Sequence, residues 1–306
     1  MNIREFYNQT AAFLKKQNID SPALTAGVLL CHVLKCGKAY LYTHSDEEIS
    51  NENLNILNGS IQRLCEHEPI DYIIGERGFM NYTFKVGKGV LVPRPETEIL
   101  VEKCYEFITA HFGQAEQVGQ GEYAACNEIN ILDLCTGAGC IAVSLVKMLK
   151  ERGLPCKAIG VDISEEALAY ARENAESLGV DKWVKFISGD VFNLKECLKK
   201  DVKTFTVILT NPPYIPKNDI VKLDRKVKDH EPLCALDGGE DGMIFYKKII
   251  PQAKAYLKTG GLLAFETGYG QCGRVRDLIE ETAQYGDVSI YRDAAGLERV
   301  VTCRLI

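Results

Sequence analysis

Asn211-Pro212-Pro213-Tyr214 follows at once on the apolar run Phe205-Thr206-Val207-Ile208-Leu209-Thr210. Such a run is a buried strand, and the carboxyl end of a strand in an open α/β sheet is where that fold class binds ligands. The two prolines fix the backbone, remove two N–H donors and keep their carbonyls as acceptors. A planar NH₂ group presented here meets one acceptor in the Asn211 side-chain oxygen and a second in the Pro212 carbonyl. Pro213 stiffens the turn, and Tyr214 offers a flat face for stacking. An amide nitrogen held in this way is a poor nucleophile, so alignment and exclusion of water must do most of the work. No general base is needed before attack, because the alkylated nitrogen becomes acidic and sheds its proton afterwards.

A second constellation lies upstream, in Ile131-Leu132-Asp133-Leu134-Cys135-Thr136-Gly137-Ala138-Gly139-Cys140. A strand ends here and a helix opens, so the free N–H groups of the first helical turn point into the same crevice. Gly137 and Gly139 let the chain turn sharply and let a ligand approach the backbone. The loop resembles a nucleotide-binding turn, but three features favour S-adenosylmethionine over a dinucleotide. Position 142 is alanine where a dinucleotide fingerprint has its third glycine, although alanine is tolerated there. Asp133 would repel a pyrophosphate and suits the cationic amino end of a methionine moiety. Asp162 ends the next strand, roughly twenty residues after Gly139, where a carboxylate accepts from both ribose hydroxyls. A third strand leads to Asp190 and Val191, placed to accept from an adenine amino group and to pack on its ring. The candidate cofactor residues are therefore Asp133, Cys135, Thr136, Gly137, Ala138, Gly139, Asp162, Asp190, Val191 and, at the junction with the reacting centre, Asn211. S-adenosylhomocysteine would be the product.

The elements that must position these residues are legible as periodicities. Residues 1–75 read as helical throughout: Ile3, Phe6, Tyr7, Ala11 and Leu14 form one face, Leu54, Leu57, Ile61, Leu64 and Cys65 another, and Ser21-Pro22 is a capped helix start. This segment is expected to be a small bundle that docks a protein substrate. Residues 76–92 read as a linking β-hairpin, with strands Phe79–Val86 and Val90–Val92 and a turn at Gly87 and Gly89. Pro93-Arg94-Pro95 stops the strand, and a helix follows with Leu100, Val101, Cys104, Tyr105, Ile108 and Phe112 inward. Residues 113–127 read as a surface loop. From about 128, strands at 129–134, 158–162, 183–187, 205–210 and 262–266 alternate with helices at 140–150, 165–178 and 241–258. Alternation of this kind implies a parallel sheet covered on both faces. Val288–Tyr291 and Arg299–Leu305 flank a turn at 293–296 and should pair antiparallel. The expected fold is α/β: a Rossmann-like class I methyltransferase domain over 93–306, with a mostly parallel seven-stranded sheet ending in an antiparallel hairpin, plus the helical domain.

Composition narrows the function classes. A net charge of −6, with six Lys/Arg against eight Asp/Glu through residue 70, argues against a phosphate-rich partner. Twelve cysteines are scattered with no Cys-x-x-Cys pair, and five histidines are equally dispersed. Neither a zinc site nor a histidine-based triad is indicated, and reduced structural thiols are expected. No apolar run reaches the ~18 residues of a membrane span, and the start Met1–Phe6 carries no secretory pattern. A cytoplasmic monomer is the expectation.

The chain resembles the HemK/PrmC family of release-factor glutamine N5-methyltransferases essentially end to end. The resemblance rests on Pro69-Ile70-Asp71-Tyr72-Ile73-Ile74-Gly75, Val90–Glu98 with its Pro-Arg-Pro-Glu-Thr-Glu, the Asp133–Gly139 loop, and Val161-Asp162-Ile163-Ser164. It continues through Asn211–Pro216, His230-Glu231-Pro232 and Ala235–Gly242. Asn-Pro-Pro-Tyr alone is shared with adenine and guanine amino-group methyltransferases, whereas the stretch at 93–98 is far more specific. The resemblance implies methylation of the glutamine in the Gly-Gly-Gln loop of peptide chain release factors, with an N-terminal helical domain joined by a hairpin to the catalytic domain. Two departures stand out: Cys135 occupies a position where the family usually has glycine, and Thr210 one where serine is common.

Overall fold

The computed structural model describes residues 1–112, 128–198 and 204–306, so the loop expected at 113–127 lies outside the described residues. The chain divides into two compact units. One comprises Met1–Glu76 with Asp224–His230, the other Arg77–Leu223 with Glu231–Ile306.

The first unit is helical: α1 (Ile3–Lys16), α2 (Pro22–Leu34), α3 (Lys38–Thr43), α4 (Asn51–Cys65) and α5 (Ile70–Ile74). Asn2 opens α1 with a reciprocal cap, accepting from the Glu5 N–H while the Glu5 carboxylate accepts from its own N–H. Ile3, Phe6 and Leu14 of α1, Leu29 and Leu30 of α2, and Leu57 and Leu64 of α4 fuse into one apolar cluster. Ser21 does stand at the start of α2, but in a left-handed conformation (φ 47°) without a capping hydrogen bond, so Pro22 alone sets that terminus. The segment Asp224–His230 joins this unit from far along the chain. Lys226 pairs with Asp20 at 3.0 Å, and His230 Nε2 lies 3.1 Å from the Glu66 carbonyl.

The second unit opens on the hairpin β1 (Glu76–Phe79) and β2 (Tyr82–Lys85). Its turn falls at Met80-Asn81 rather than at Gly87 and Gly89, and residues 90–92 are not a strand. Both turn residues have positive φ (50° and 64°), as a two-residue hairpin turn with the right twist requires. Asparagine tolerates that region, and the Glu98 carboxylate accepts from the Met80 N–H at 2.7 Å, which secures methionine there. The apolar alternation on either side of Asn81 reads as one strand because nothing in it marks a turn except that single residue.

The described residues of this unit form a seven-stranded sheet. Its strands are β3 (Ile129–Leu134), β4 (Cys156–Asp162), β5 (Val184–Ser188), β6 (Phe205–Thr210), β7 (Leu257–Glu266), β8 (Tyr285–Arg292) and β9 (Glu298–Leu305), in spatial order β5-β4-β3-β6-β7-β9-β8. All neighbours are parallel up to β7, and β9 runs antiparallel between β7 and β8. Helices α6 (Glu98–Phe112), α7 (Cys140–Glu151) and α8 (Glu165–Ser177) belong to the connections. Two apolar clusters cover the sheet, and β3 shows the alternation: Ile129 and Ile131 join one, Leu132 and Leu134 the other. β3 and β6 flank the point where the strand order reverses, and Leu134 pairs with Thr210. Cys135 and Asn211 therefore leave the sheet side by side. The Thr210 hydroxyl donates to the Leu134 carbonyl at 2.7 Å, a bond that serine can also make. Among the described residues no helix is long and apolar enough to cross a membrane.

Candidate active site

The carboxyl edge of β3, β4, β5 and β6 holds a cavity of about 420 Å³. Of the residues singled out in the sequence, Cys135, Thr136, Gly137, Ala138, Asp162, Asp190, Val191, Asn211 and Pro213 line it. Asp133, Gly139, Pro212 and Tyr214 do not. A volume of this order takes a nucleoside-sized molecule.

Gly139 ends the glycine loop at φ 77°, just before α7. A Cβ there would stand 3.0 Å from the Ala171 methyl and 3.1 Å from the Phe186 ring, so the loop and α8 can pack this closely only over glycine. Cys135 also has positive φ (58°), which accounts for the usual glycine at this place; a left-handed non-glycine residue costs roughly 1–2 kcal/mol. Its side chain packs against the apolar cluster around Leu134 and Tyr246. Asn174 secures the loop from behind. It is fully buried in α8, donates to the Ala138 carbonyl at 3.0 Å, and bonds both backbone groups of Lys85. A lone asparagine on the apolar face Ala167, Leu168, Ala171, Ala175 was its only mark in the sequence.

Asp133 lies where strand alternation puts it, on the same side of β3 as Ile131 and under α7. It has no solvent exposure. One carboxylate oxygen accepts from Thr136 Oγ1 at 2.6 Å and from the Ala142 N–H at 3.2 Å, and the other has no partner among the described residues. Burial pushes this carboxyl up to about 7. Asp133 thus braces the loop rather than reaching the cavity, contrary to the expectation that it meets a cationic ligand. Asp162, the last residue of β4, lines the cavity. Its two oxygens accept from the Gly137 N–H (2.8 Å) and the Ser164 N–H (2.9 Å), which aims the carboxylate along the cavity wall with lone pairs to spare. Burial raises its pKa, and those backbone donors pull it back. Asp190 accepts from the Phe192 N–H at 2.8 Å and caps the short turn that carries Val191.

On the opposite wall, Asn211 Nδ2 donates to Thr97 Oγ1 at 3.1 Å. Asn211 Oδ1 has no bonded donor among the described residues. The Tyr214 carbonyl accepts from Gln271 Nε2 at 2.8 Å, and Ile215 pairs with Asp237 in a parallel bridge. A Cβ on Gly238 would stand 2.7 Å from Tyr214 Cα and 2.9 Å from Gly242 Cα, so the Asn-Pro-Pro-Tyr turn is clamped by backbone on backbone. Arg94 also lines the cavity and grips Glu231 through both carboxylate oxygens at 2.6 and 2.7 Å, with the Glu231 side chain only 1% exposed. Among the described residues no cluster of side chains is arranged to hold a metal ion.

A seven-stranded sheet of this order, with an acid after its second parallel strand and Asn-Pro-Pro-Tyr after its fourth, defines a class I methyltransferase. Residues 126–292 match the family described as Methyltransferase domain, and residues 5–75 match the PrmC N-terminal domain. The chain is 42% identical over 275 residues to the release factor glutamine methyltransferase of Thermodesulfovibrio yellowstonii, covering 89% of each chain. It is 34% identical over 301 residues to the same enzyme of Clostridium acetobutylicum, covering 98% of each. The chain belongs to the release factor glutamine methyltransferase family.

Proposed function

We propose that this enzyme transfers a methyl group from S-adenosylmethionine to the side-chain amide nitrogen of the glutamine in the Gly-Gly-Gln loop of peptide chain release factors. The observation that carries the reading is Asn211: its amide hydrogen is engaged by Thr97, and its oxygen remains as an acceptor at the cavity. An amide NH₂ needs two acceptors set at the angle between its hydrogens. The Asn211 oxygen is one, and we read the adjacent Pro212 carbonyl as the other, although Pro212 is not itself part of the cavity wall, with the Pro-Pro backbone holding their spacing.

The cavity suits the cofactor. Glycine-loop backbone at Gly137 and Ala138 would run beside the methionine moiety, Asp162 would accept from the ribose hydroxyls, and Asp190 with Val191 would hold the adenine. When bound, S-adenosylmethionine supplies an electrophilic methyl on a sulfonium. The chain's own contribution is to orient the glutamine nitrogen and to exclude water, with apolar walls at Val90, Leu91, Pro213 and Phe245. The decisive experiment is mass spectrometry of a release factor incubated with enzyme and S-adenosylmethionine, which should show one added methyl on the loop glutamine. A methyl on any other residue, or none, would refute the assignment.

Asp162→Ala should weaken cofactor binding by about 1.5–3 kcal/mol, the worth of charge-assisted hydrogen bonds, while the fold survives. Calorimetric titration with unchanged affinity would remove Asp162 from the site.

We further propose that the helical unit docks the release factor, the cytoplasm being the place of action and a monomer the working form. Its surface exposes Leu24 (54%), Tyr42 (79%) and Ile56 (50%). Hydrogen exchange of the full-length enzyme should slow within residues 1–75 when a release factor is added and stay unchanged when only S-adenosylmethionine is added. Protection confined to the catalytic unit would contradict this docking role.

A further inference from the structure

Thr97 sits between Asn211 and a group the proposed chemistry does not use. That group is Glu266, the last residue of β7, 2% exposed, with its carboxyl facing Thr97. Its backbone carbonyl accepts from Tyr246 Oη at 3.0 Å, which fixes the strand end, while its carboxylate Oε2 has no partner among the described residues. A buried carboxyl with an unsatisfied oxygen costs stability.

The donors and acceptors along this line are unequal. A carboxylate only accepts, a hydroxyl has one hydrogen, and a carboxamide has one donating and one accepting end of nearly the same shape. A Thr97 hydroxyl that gives its hydrogen to Glu266 can only accept on its other side, and Thr97 Oγ1 does accept there from Asn211 Nδ2. We propose that Thr97 and Glu266 are positioning residues that lock the Asn211 carboxamide with its oxygen toward the incoming glutamine; this inference rests on the function proposed above. Without the lock, a flipped Asn211 would set donor against donor at the substrate amide.

The inference also accounts for a stretch that Asn-Pro-Pro-Tyr leaves unexplained. Within Pro93–Glu98, Arg94 grips Glu231, Glu98 holds the hairpin turn at Met80, and Thr97 faces the reacting centre. The groups facing the Glu266 carboxyl are Thr97, Glu96 and Arg94 from this stretch, Arg299 from β9, and Tyr214 and Tyr246. Burial outweighs the two arginines and pushes Glu266 up to about 7. Protonated, it no longer compels Thr97 to donate toward it.

The test compares full-length wild type, Thr97→Val, Thr97→Ser and Glu266→Gln, with a release factor as acceptor and both substrates saturating in single turnover. Thr97→Val and Glu266→Gln should transfer methyl about 10–100-fold more slowly, less than the loss of a whole preorganised group. Their cofactor dissociation constants, read by calorimetry, should stay within about 3-fold of wild type, and Thr97→Ser should restore the rate. The wild-type rate should fall as pH drops through about 7, and this limb should vanish in Glu266→Gln. In the cofactor-free protein, the ¹⁵N side-chain amide signal of Asn211 should move over the same pH range in wild type and not in Glu266→Gln. Wild-type rates in Thr97→Val and Glu266→Gln, or a Thr97→Ser as slow as Thr97→Val, would overturn the positioning role. A wild-type enzyme that leaves the glutamine unmethylated would overturn the functional reading instead, and the Asn211 signal would still decide the positioning.

Discussion

Asn211→Ala should transfer methyl about 10²–10³ more slowly than wild type, a loss of about 2.7–4 kcal/mol, while binding S-adenosylmethionine within a few-fold of normal. The substitution removes one of the two acceptors that align the glutamine amide and leaves the Pro212 carbonyl in place. It takes away no backbone group from the glycine loop and no ligand of the ribose, so the effect should appear in the transfer step. Asn211→Asp is the sharper variant. It keeps an acceptor in nearly the same position but cannot donate to Thr97 Oγ1, which then faces two carboxylates, the introduced one and that of Glu266. One hydroxyl hydrogen cannot serve both. The added charge lies beside a cationic cofactor and favours the ground state, where positive charge is concentrated, over the transition state, where it spreads. Cofactor binding should be equal or tighter and transfer slower. A wild-type single-turnover rate in Asn211→Ala would mean that backbone alone aligns the substrate.

The second large effect is on stability. An aspartate in an unfolded chain titrates near 3.9, whereas Asp133 in the folded protein is held at about 7 by burial. Between those values the folded state binds the proton more tightly. Stability should therefore fall as pH rises from about 4 to about 7 and level off above. A shift of this size corresponds to on the order of 4 kcal/mol for Asp133 alone. Glu266, also raised to about 7 by burial, acts in the same direction. Asp133→Asn should flatten much of this slope, because the amide oxygen can still accept from Thr136 and Ala142 while no charge is buried. Denaturant unfolding at pH 5 and pH 8 checks it: wild type should lose about 2–3 kcal/mol more than Asp133→Asn over that interval. Equal losses in the two proteins would mean that Asp133 is ionised at little cost.

How far the site was legible in the sequence depends on whether its residues act through their own strand end or through another element. Cys135, Asp162, Asp190 and Asn211 each stand at or just after the end of a strand, and parallel pairing carries those four ends to one edge. Their convergence follows from βα alternation, so sequence was enough. Asp133 lies one residue inside a strand end. Its orientation is set by the pleat and by the placement of α7, neither of which a motif reveals. The hairpin turn at Met80-Asn81 was hidden for a similar reason: its stabilising partner, the Glu98 carboxylate, comes from the next helix.

Sequence alone determined the alternation of strands and helices, the helical character of the first 75 residues, the glycine loop and the reacting turn, because these are local periodicities and local backbone requirements. Only the tertiary structure brought Asp224–His230 to the helical unit, buried Asn174 against Ala138, closed Arg94 on Glu231, and placed Glu266 behind Thr97 and Asn211. Each of these joins residues tens to more than a hundred positions apart. Such contacts arise from the geometry with which whole elements pack, and a buried hydrogen bond between distant side chains leaves no periodic trace in the chain that forms it.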